Sequence, residues 1–369
     1  MVLSCQNVNK AFHEKQVFRN CSFHIEDYEK AAVVGINGAG KTTLLRIIVG
    51  ELEADSGQVV FGKDKSFGYL PQNAEVDSEH TIYDELLEVK RDVIALEERI
   101  RQCELEMKHV EGEALAALME QYALYTHQFE LADGYSYRSE IVGVLKGLGF
   151  TEEEFSKKAC TLSGGQKTRV ALGKLLLDKP DLIILDEPTN HLDMSSIAWL
   201  ENYLLNYKGA VLIVSHDRYF LDKIATKIIE LDGTEVSVFS GNYSDYAVKK
   251  EQVRAARWNA YMNQQQEIKH QEAVIEKLRS FNREKSIRRA ESREKLLSKI
   301  EVLDKPVELN DAMNITLEPN ILSGNDVLSV RGLTKRFDGP VLFQNVDFDI
   351  KRGERIAIIG TTAQEKRLF

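Results

Sequence analysis

The residues best suited to chemistry start at Gly35-Ile36-Asn37-Gly38-Ala39-Gly40-Lys41-Thr42-Thr43, spaced as G-x-x-x-x-G-K-T. Glycines let backbone N–H groups close around phosphate oxygens, where a side chain would clash. A helix opening at this point adds its N-terminal dipole. Lys41 offers a point charge to β- and γ-phosphates, and the Thr42 hydroxyl suits Mg²⁺. The flanks agree. Ala31-Ala32-Val33-Val34 predicts a buried parallel strand, and Leu44, Leu45, Ile47, Ile48 and Val49 predict a helix ending near Gly50.

More groups of this kind follow. Leu182-Ile183-Ile184-Leu185-Asp186-Glu187 predicts a buried strand ending in two carboxylates. Asp186 is placed to hold Mg²⁺, and Glu187 to act as the general base that orients an attacking water. In Thr161-Leu162-Ser163-Gly164-Gly165-Gln166-Lys167, Ser163 suits an N-cap, and the two glycines expose N–H groups at a helix start, a second anion site. Ser215-His216-Asp217 follows an apolar strand at 210–214 and can present His216 to a γ-phosphate. Tyr69-Leu70-Pro71-Gln72 ends a strand at the proline, which frees Gln72 for a metal or a water. Phe12 lies 23 residues before Gly35, where an aromatic could stack on adenine or simply pack in the core.

Together, in this order, these motifs resemble the ATP-binding cassette superfamily over residues 1–240. The resemblance implies an α/β P-loop fold with a helical subdomain and binding of ATP and Mg²⁺. It makes 35–42 the Walker A loop, Gln72 the Q-loop glutamine, 162–166 the signature and Asp186 the end of Walker B. It also makes Asn190-His191-Leu192-Asp193 the D-loop, His216 the switch histidine and Phe12 the adenine stacker. The family binds each nucleotide between one cassette's Walker A and another's signature. Ser163, Gly164, Gly165 and Gln166 are thus expected to serve a partner's nucleotide, with a head-to-tail homodimer as one such arrangement. Ser215-His216-Asp217-Arg218-Tyr219-Phe220-Leu221 and Gly241-Asn242-Tyr243-Ser244 are similar to the ABC-F branch, whose members are tandem cassettes acting on the ribosome.

The elements that must position these groups differ in composition. The chain has 369 residues, 29% charged, and a net charge of −10, which argues against a protein that coats nucleic acid throughout. No apolar run reaches the roughly 18 residues of a membrane span, so no membrane partner is expected. The cysteines at 5, 21, 103 and 160 form no CxxC pair and suggest free thiols in the cytoplasm. Apolar residues at 86, 89, 93, 96, 100, 103, 107 and 110, then 115, 118, 122, 125, 129 and 132, predict a two-helix arm at 84–132. Asp84 to Asp133 hold 13 acidic and 5 basic residues, and so acidic an arm suits a basic surface, by resemblance a basic ribosomal protein. Residues 241–306 predict a helical-hairpin linker with its tip at 281–286. Lys249 to Lys305 contain 15 basic and 9 acidic residues, and the resemblance implies contact with rRNA and the P-site tRNA.

A connector at 307–326 leads to 327–369, read as a truncated start of a second cassette. Residues 327–360 repeat 2–35 at an offset of 325, with 12 identities in 34 positions. The repeat stops at Thr361-Thr362-Ala363-Gln364-Glu365-Lys366-Arg367-Leu368-Phe369, and the expectation is that this segment is an out-of-frame reading of a normal Walker A loop. The expectation is an ABC-F-type ATPase in translation, impaired in turnover. The alternatives are the ATPase subunit of a membrane transporter, or an ATP- and RNA-binding product without hydrolysis.

Overall fold

The computed structural model describes residues 1–13, 15–73, 76–280, 284–299, 302–305, 324–336 and 341–357. They form two compact units, 1–249 and 250–369. In the first unit, β1 (Leu3–Phe12), β2 (Lys15–Ile25) and β4 (Ser56–Phe61) make an antiparallel sheet of order β2-β1-β4. Between them run β3 (Lys30–Gly35) and α1 (Lys41–Ile48). The central sheet has order β5-β6-β7-β3-β8-β9, with β5 (Phe67–Leu70), β6 (Leu182–Asp186), β7 (Ala210–Val214), β8 (Lys227–Asp232) and β9 (Glu235–Ser240). All its pairs are parallel except the β8–β9 hairpin.

The central strands are apolar throughout because both faces are covered. Ile183 and Leu185 of β6 point into one core with the helical layer, while Leu182 and Ile184 point into another with β1, β2 and α1. The register aligns Val33, Val214 and Asp186 across three strands. The loops after Gly35, Asp186 and Val214 therefore leave the same carboxyl edge, where ligands of open parallel sheets bind.

The helical layer holds α2 (Ile82–Glu88), α3 (Arg91–Glu106), α4 (Glu113–Leu131), α5 (Tyr137–Gly147), α6 (Gly164–Asp178), α7 (Met194–Asn206) and α8 (Arg218–Ile224). The expected first arm helix, read without a break from Leu86 to Val110, is divided after Glu88. Leu86 belongs to α2 and is fully buried in the cassette core rather than in the arm. Thr81 caps α2 by accepting the Asp84 N–H. The arm proper is α3 against α4, with Gly112 starting α4, Arg99 over the Tyr125 ring and Cys103 and Phe129 buried. No helix among the described residues is long and apolar enough to cross a membrane.

Helix α9 (Tyr243–Ser280) begins inside the first unit, which extends to residue 249, beyond the 1–240 that the resemblance covers. In the second unit, α10 (Glu284–Leu297) runs back along α9. Arg279 pairs with Glu294 at 2.7 Å, Arg293 donates to Gln271 at 2.8 Å, and Lys305 lies over Trp258. Ile275 and Ala290 are buried. Residues 281–283 at the expected tip, most of the connector and residues 358–369 lie outside the described residues.

Strands β10 (Asp326–Arg336) and β11 (Val341–Lys351) pair as an antiparallel ribbon. Its register copies β1–β2 at the offset of 325. Ser329 faces Asp349 as Ser4 faces His24, and Lys335 faces Phe343 as Lys10 faces Phe18. The copy includes the left-handed residues: Asn7, Asn20 and Tyr28 have φ of 49°, 50° and 66°, and Gly332, Asn345 and Gly353 have 62°, 52° and 86°.

Candidate nucleotide-binding and hydrolysis site

The loop between β3 and α1 turns at Gly38 and Gly40, with φ of 80° and 98°. At Gly40 the requirement is double, because a Cβ there would also lie 2.3 Å from Val17 Cγ1. Ala39 and Lys41 are buried, whereas Asn37 and Gly38 are open to solvent. Lys41 curls back over the loop. Its Nζ donates to the carbonyl oxygens of Gly35 at 2.9 Å and Ile36 at 3.2 Å. Burial pushes its pKa down, against the opposing pull of Glu187 and Asp186.

The Thr42 hydroxyl donates to Asp186 Oδ2 at 3.0 Å. Asp186 is 2% exposed, and burial raises its pKa despite the Thr42 bond and the nearby Lys41 charge. A hydroxyl and a buried carboxylate in direct contact are oxygen donors of the kind a small divalent cation uses. Thr43, next on α1, is exposed to an intermediate degree.

Glu187 follows Asp186 in the left-handed region, φ 54°, although it is not glycine. Such backbone costs about 1–3 kcal/mol and persists only where the surroundings hold it. Here the Glu187 N–H donates to the Val214 carbonyl at 2.8 Å. Its Oε2 accepts the His216 main-chain N–H at 3.2 Å, and its buried Oε1 has no hydrogen-bond partner. Burial raises the Glu187 pKa, opposed first by the His216 N–H. A desolvated carboxylate with one bare oxygen is suited to accept a proton from water. The unpartnered Oε1, the Thr42–Asp186 pair and the open Gly38 fit a phosphate with a divalent cation at this edge.

Gln72 lies two residues beyond Leu70, which pairs with Leu185, so it leaves the sheet beside Asp186 and Glu187. Phe12 ends β1, is 46% exposed, and has the Lys10 ammonium 5.4 Å from its ring centroid. The signature is shaped differently. Ser163 accepts the Gln166 N–H and donates its own N–H to Gln166 Oε1, a reciprocal cap that starts α6 with Gly164 and Gly165. A Cβ at Gly165 would lie 3.1 Å from the His191 ring of the D-loop. Among the described residues, no hydrogen bond joins residues 163–166 to the loop at 35–43.

Sequence reasoning missed three features. Tyr69 lies close enough to Asp186 for that carboxylate to help raise its pKa to about 12, after burial. Arg169 of α6 donates to the Leu148 carbonyl, rests over Phe150 and feels Asp193 of the D-loop. The left-handed turn at Glu187 carries no sequence signal, since a glutamate ahead of a proline favours extended backbone.

Two family models described as ABC transporter match residues 18–190 and 229–316. The chain is 40% identical over 361 residues to the putative ATP-binding protein YdiF of Bacillus subtilis, covering 98% of this chain and 56% of that protein. It is 34% identical to ABC transporter F family member 2 of Arabidopsis thaliana, covering 96% and 53%. It is 32% identical to the energy-dependent translational throttle protein EttA of Escherichia coli, covering 96% and 62%. The chain belongs to the ABC transporter ATP-binding family, a family of ATPases with the α/β P-loop fold described above. It spans little more than half the length of these three relatives.

Proposed function

We propose that this chain is an ABC-F-type ATPase that acts on the ribosome in translation. The observation that carries this reading is the union, in one chain, of the Glu187 site with the basic α9–α10 hairpin. A relative named for a translational throttle supports it. In this reading Phe12 stacks on adenine, residues 35–43 wrap the phosphates and Lys41 leaves its carbonyls for them. Thr42, Asp186 and Gln72 hold Mg²⁺, which supplies charge neutralisation at the phosphate oxygens. Glu187 Oε1 takes a proton from the attacking water, and His216 orients the γ-phosphate. Residues 163–166 serve the nucleotide of a second cassette or of a second copy placed head to tail. The hairpin touches rRNA and the P-site tRNA, and the acidic α3–α4 arm touches a basic ribosomal protein. Pelleting of the chain with ribosomes, with and without Mg·ATP, tests this. Nucleotide-dependent pelleting is expected. Its absence, with nucleotide demonstrably bound, returns the chain to the transporter-subunit reading.

A further inference from the structure

Helix α9 starts on an acceptor supplied by another helix. Its own cap is reciprocal: the Asp245 N–H donates to Asn242 Oδ1 at 2.9 Å, and the Asn242 N–H to Asp245 Oδ2 at 3.4 Å. A further acceptor comes from α8, where Asp222 Oδ1 takes the Ser244 N–H at 2.7 Å. Arg218, at the other end of α8, lies 5.9 Å from the Tyr243 ring centroid. One turn deeper, Tyr246 is buried. It packs edge-on against Phe239 and Tyr243 and donates its hydroxyl to buried Glu230 at 2.5 Å. Glu230 pairs with Val34, one residue before Gly35.

Helix α8 in turn begins at the nucleotide site. Asp217, directly after His216, caps it by accepting the N–H groups of Tyr219 and Phe220. The helix has seven residues, with Phe220, Leu221 and Ile224 buried. So short an element links Asp217 and Asp222 through less than two turns of helix. The bond it offers α9 is exposed, whereas the Tyr246–Glu230 bond is buried.

We propose that Asp222, aided by Arg218, is a positioning residue that couples a γ-phosphate at His216 to the first turns of α9. The proposal rests on the nucleotide-site reading above. A γ-phosphate draws on His216, whose main-chain N–H is now given to Glu187. Fixing His216 fixes Asp217, α8 and the carboxylate of Asp222 on Ser244. The start of the hairpin helix thereby registers whether the bound nucleotide has three phosphates or two.

Hydrogen exchange of the full chain tests this in two windows, residues 36–43 for nucleotide binding and 243–249 for coupling. A non-hydrolysable Mg·ATP analogue is expected to slow exchange in both windows, by about threefold or more in the second, the scale of a capping bond. Mg·ADP is expected to slow only the first. Asp222→Ala, which removes the acceptor of the Ser244 N–H, should keep the first response and lose the second, and Arg218→Gln should weaken the second. Absence of protection at 36–43 would sink the nucleotide reading itself. Protection there with 243–249 unchanged, an equal response to Mg·ADP, or a full second response in Asp222→Ala would overturn the coupling alone.

Discussion

The main-chain N–H of His216 holds Oε2 of Glu187 at 3.2 Å, while Oε1 of the same carboxylate stands 3.5 Å from the His216 Nε2 and bonds to neither. One residue thus aims the carboxylate with its backbone and keeps its side chain for another task. The left-handed φ of Glu187 is what turns the carboxylate back toward His216.

Replacing that carboxylate by its amide separates binding from chemistry. Glu187→Gln should leave Mg·ATP affinity within about twofold, while any hydrolysis falls roughly 10²–10⁴-fold, the usual loss for a general base. Filter binding beside a phosphate-release assay measures both. Equal loss of the two would deny Glu187 this role.

The same substitution should change stability with pH. Burial raises the Glu187 pKa, so the native state binds this proton more tightly than the unfolded chain. Between the ordinary and the raised value, stability falls as pH rises, and above that window the ionised group costs stability in full. Glu187→Gln is therefore expected to be more stable than the parent at pH ~8. The difference should shrink as pH falls toward the ordinary glutamate value of about 4.3. Thermal melts of the nucleotide-free chain at several pH values check the sign.

Lys41→Ala removes the charge that now rests on the Gly35 and Ile36 carbonyls. A hydrogen bond to a charged group is worth about 1.5–3 kcal/mol, so nucleotide affinity should drop roughly 10- to 100-fold. Titration with a fluorescent ATP analogue measures it, and unchanged affinity would move the site elsewhere.

The division between α2 and α3 has a stability signature. Leu86→Ala deletes a fully buried side chain of the cassette core and should cost about 2–5 kcal/mol. Leu105→Ala, in the arm and more than half exposed, should stay within about 0.5 kcal/mol. Urea denaturation of both variants discriminates. Similar costs would put Leu86 back in the arm.

Salt dependence tests the hairpin. If its arginines meet phosphates, affinity for single-stranded RNA should fall with salt at a slope of roughly −0.7 per phosphate contact. Arg288→Gln with Arg289→Gln should flatten the slope by about one to two contacts' worth, and acidic-arm variants should not. An identical slope would leave the charge as a solvated face.

Much of the site is legible in the sequence because its parts are backbone devices with fixed residue types. Gly40 must be glycine for both φ and space, and Ser163 with Gln166 spells a capping box. The apolar runs at 182–186 and 210–214 announce strands covered on both faces. What stays hidden depends on distant partners. Unbroken three-four spacing through Leu86 and Cys103 conceals that one packs in the cassette core and the other in the arm, since helical periodicity is local while burial is not. Nor does the resemblance, which ends at residue 240, reveal that Tyr246 is still held by Glu230.

The ribbon of β10 and β11 leaves one more lesson. At two of three matching bends, glycine in one copy stands where asparagine or tyrosine stands in the other, at Asn7 and Gly332 and at Tyr28 and Gly353. The bend has outlived the side chain, so the chain carries two spellings of one fold. The spare spelling can be moved across: Tyr28→Gly exchanges a strained residue for a permissive one, at the expense of greater freedom in the unfolded chain.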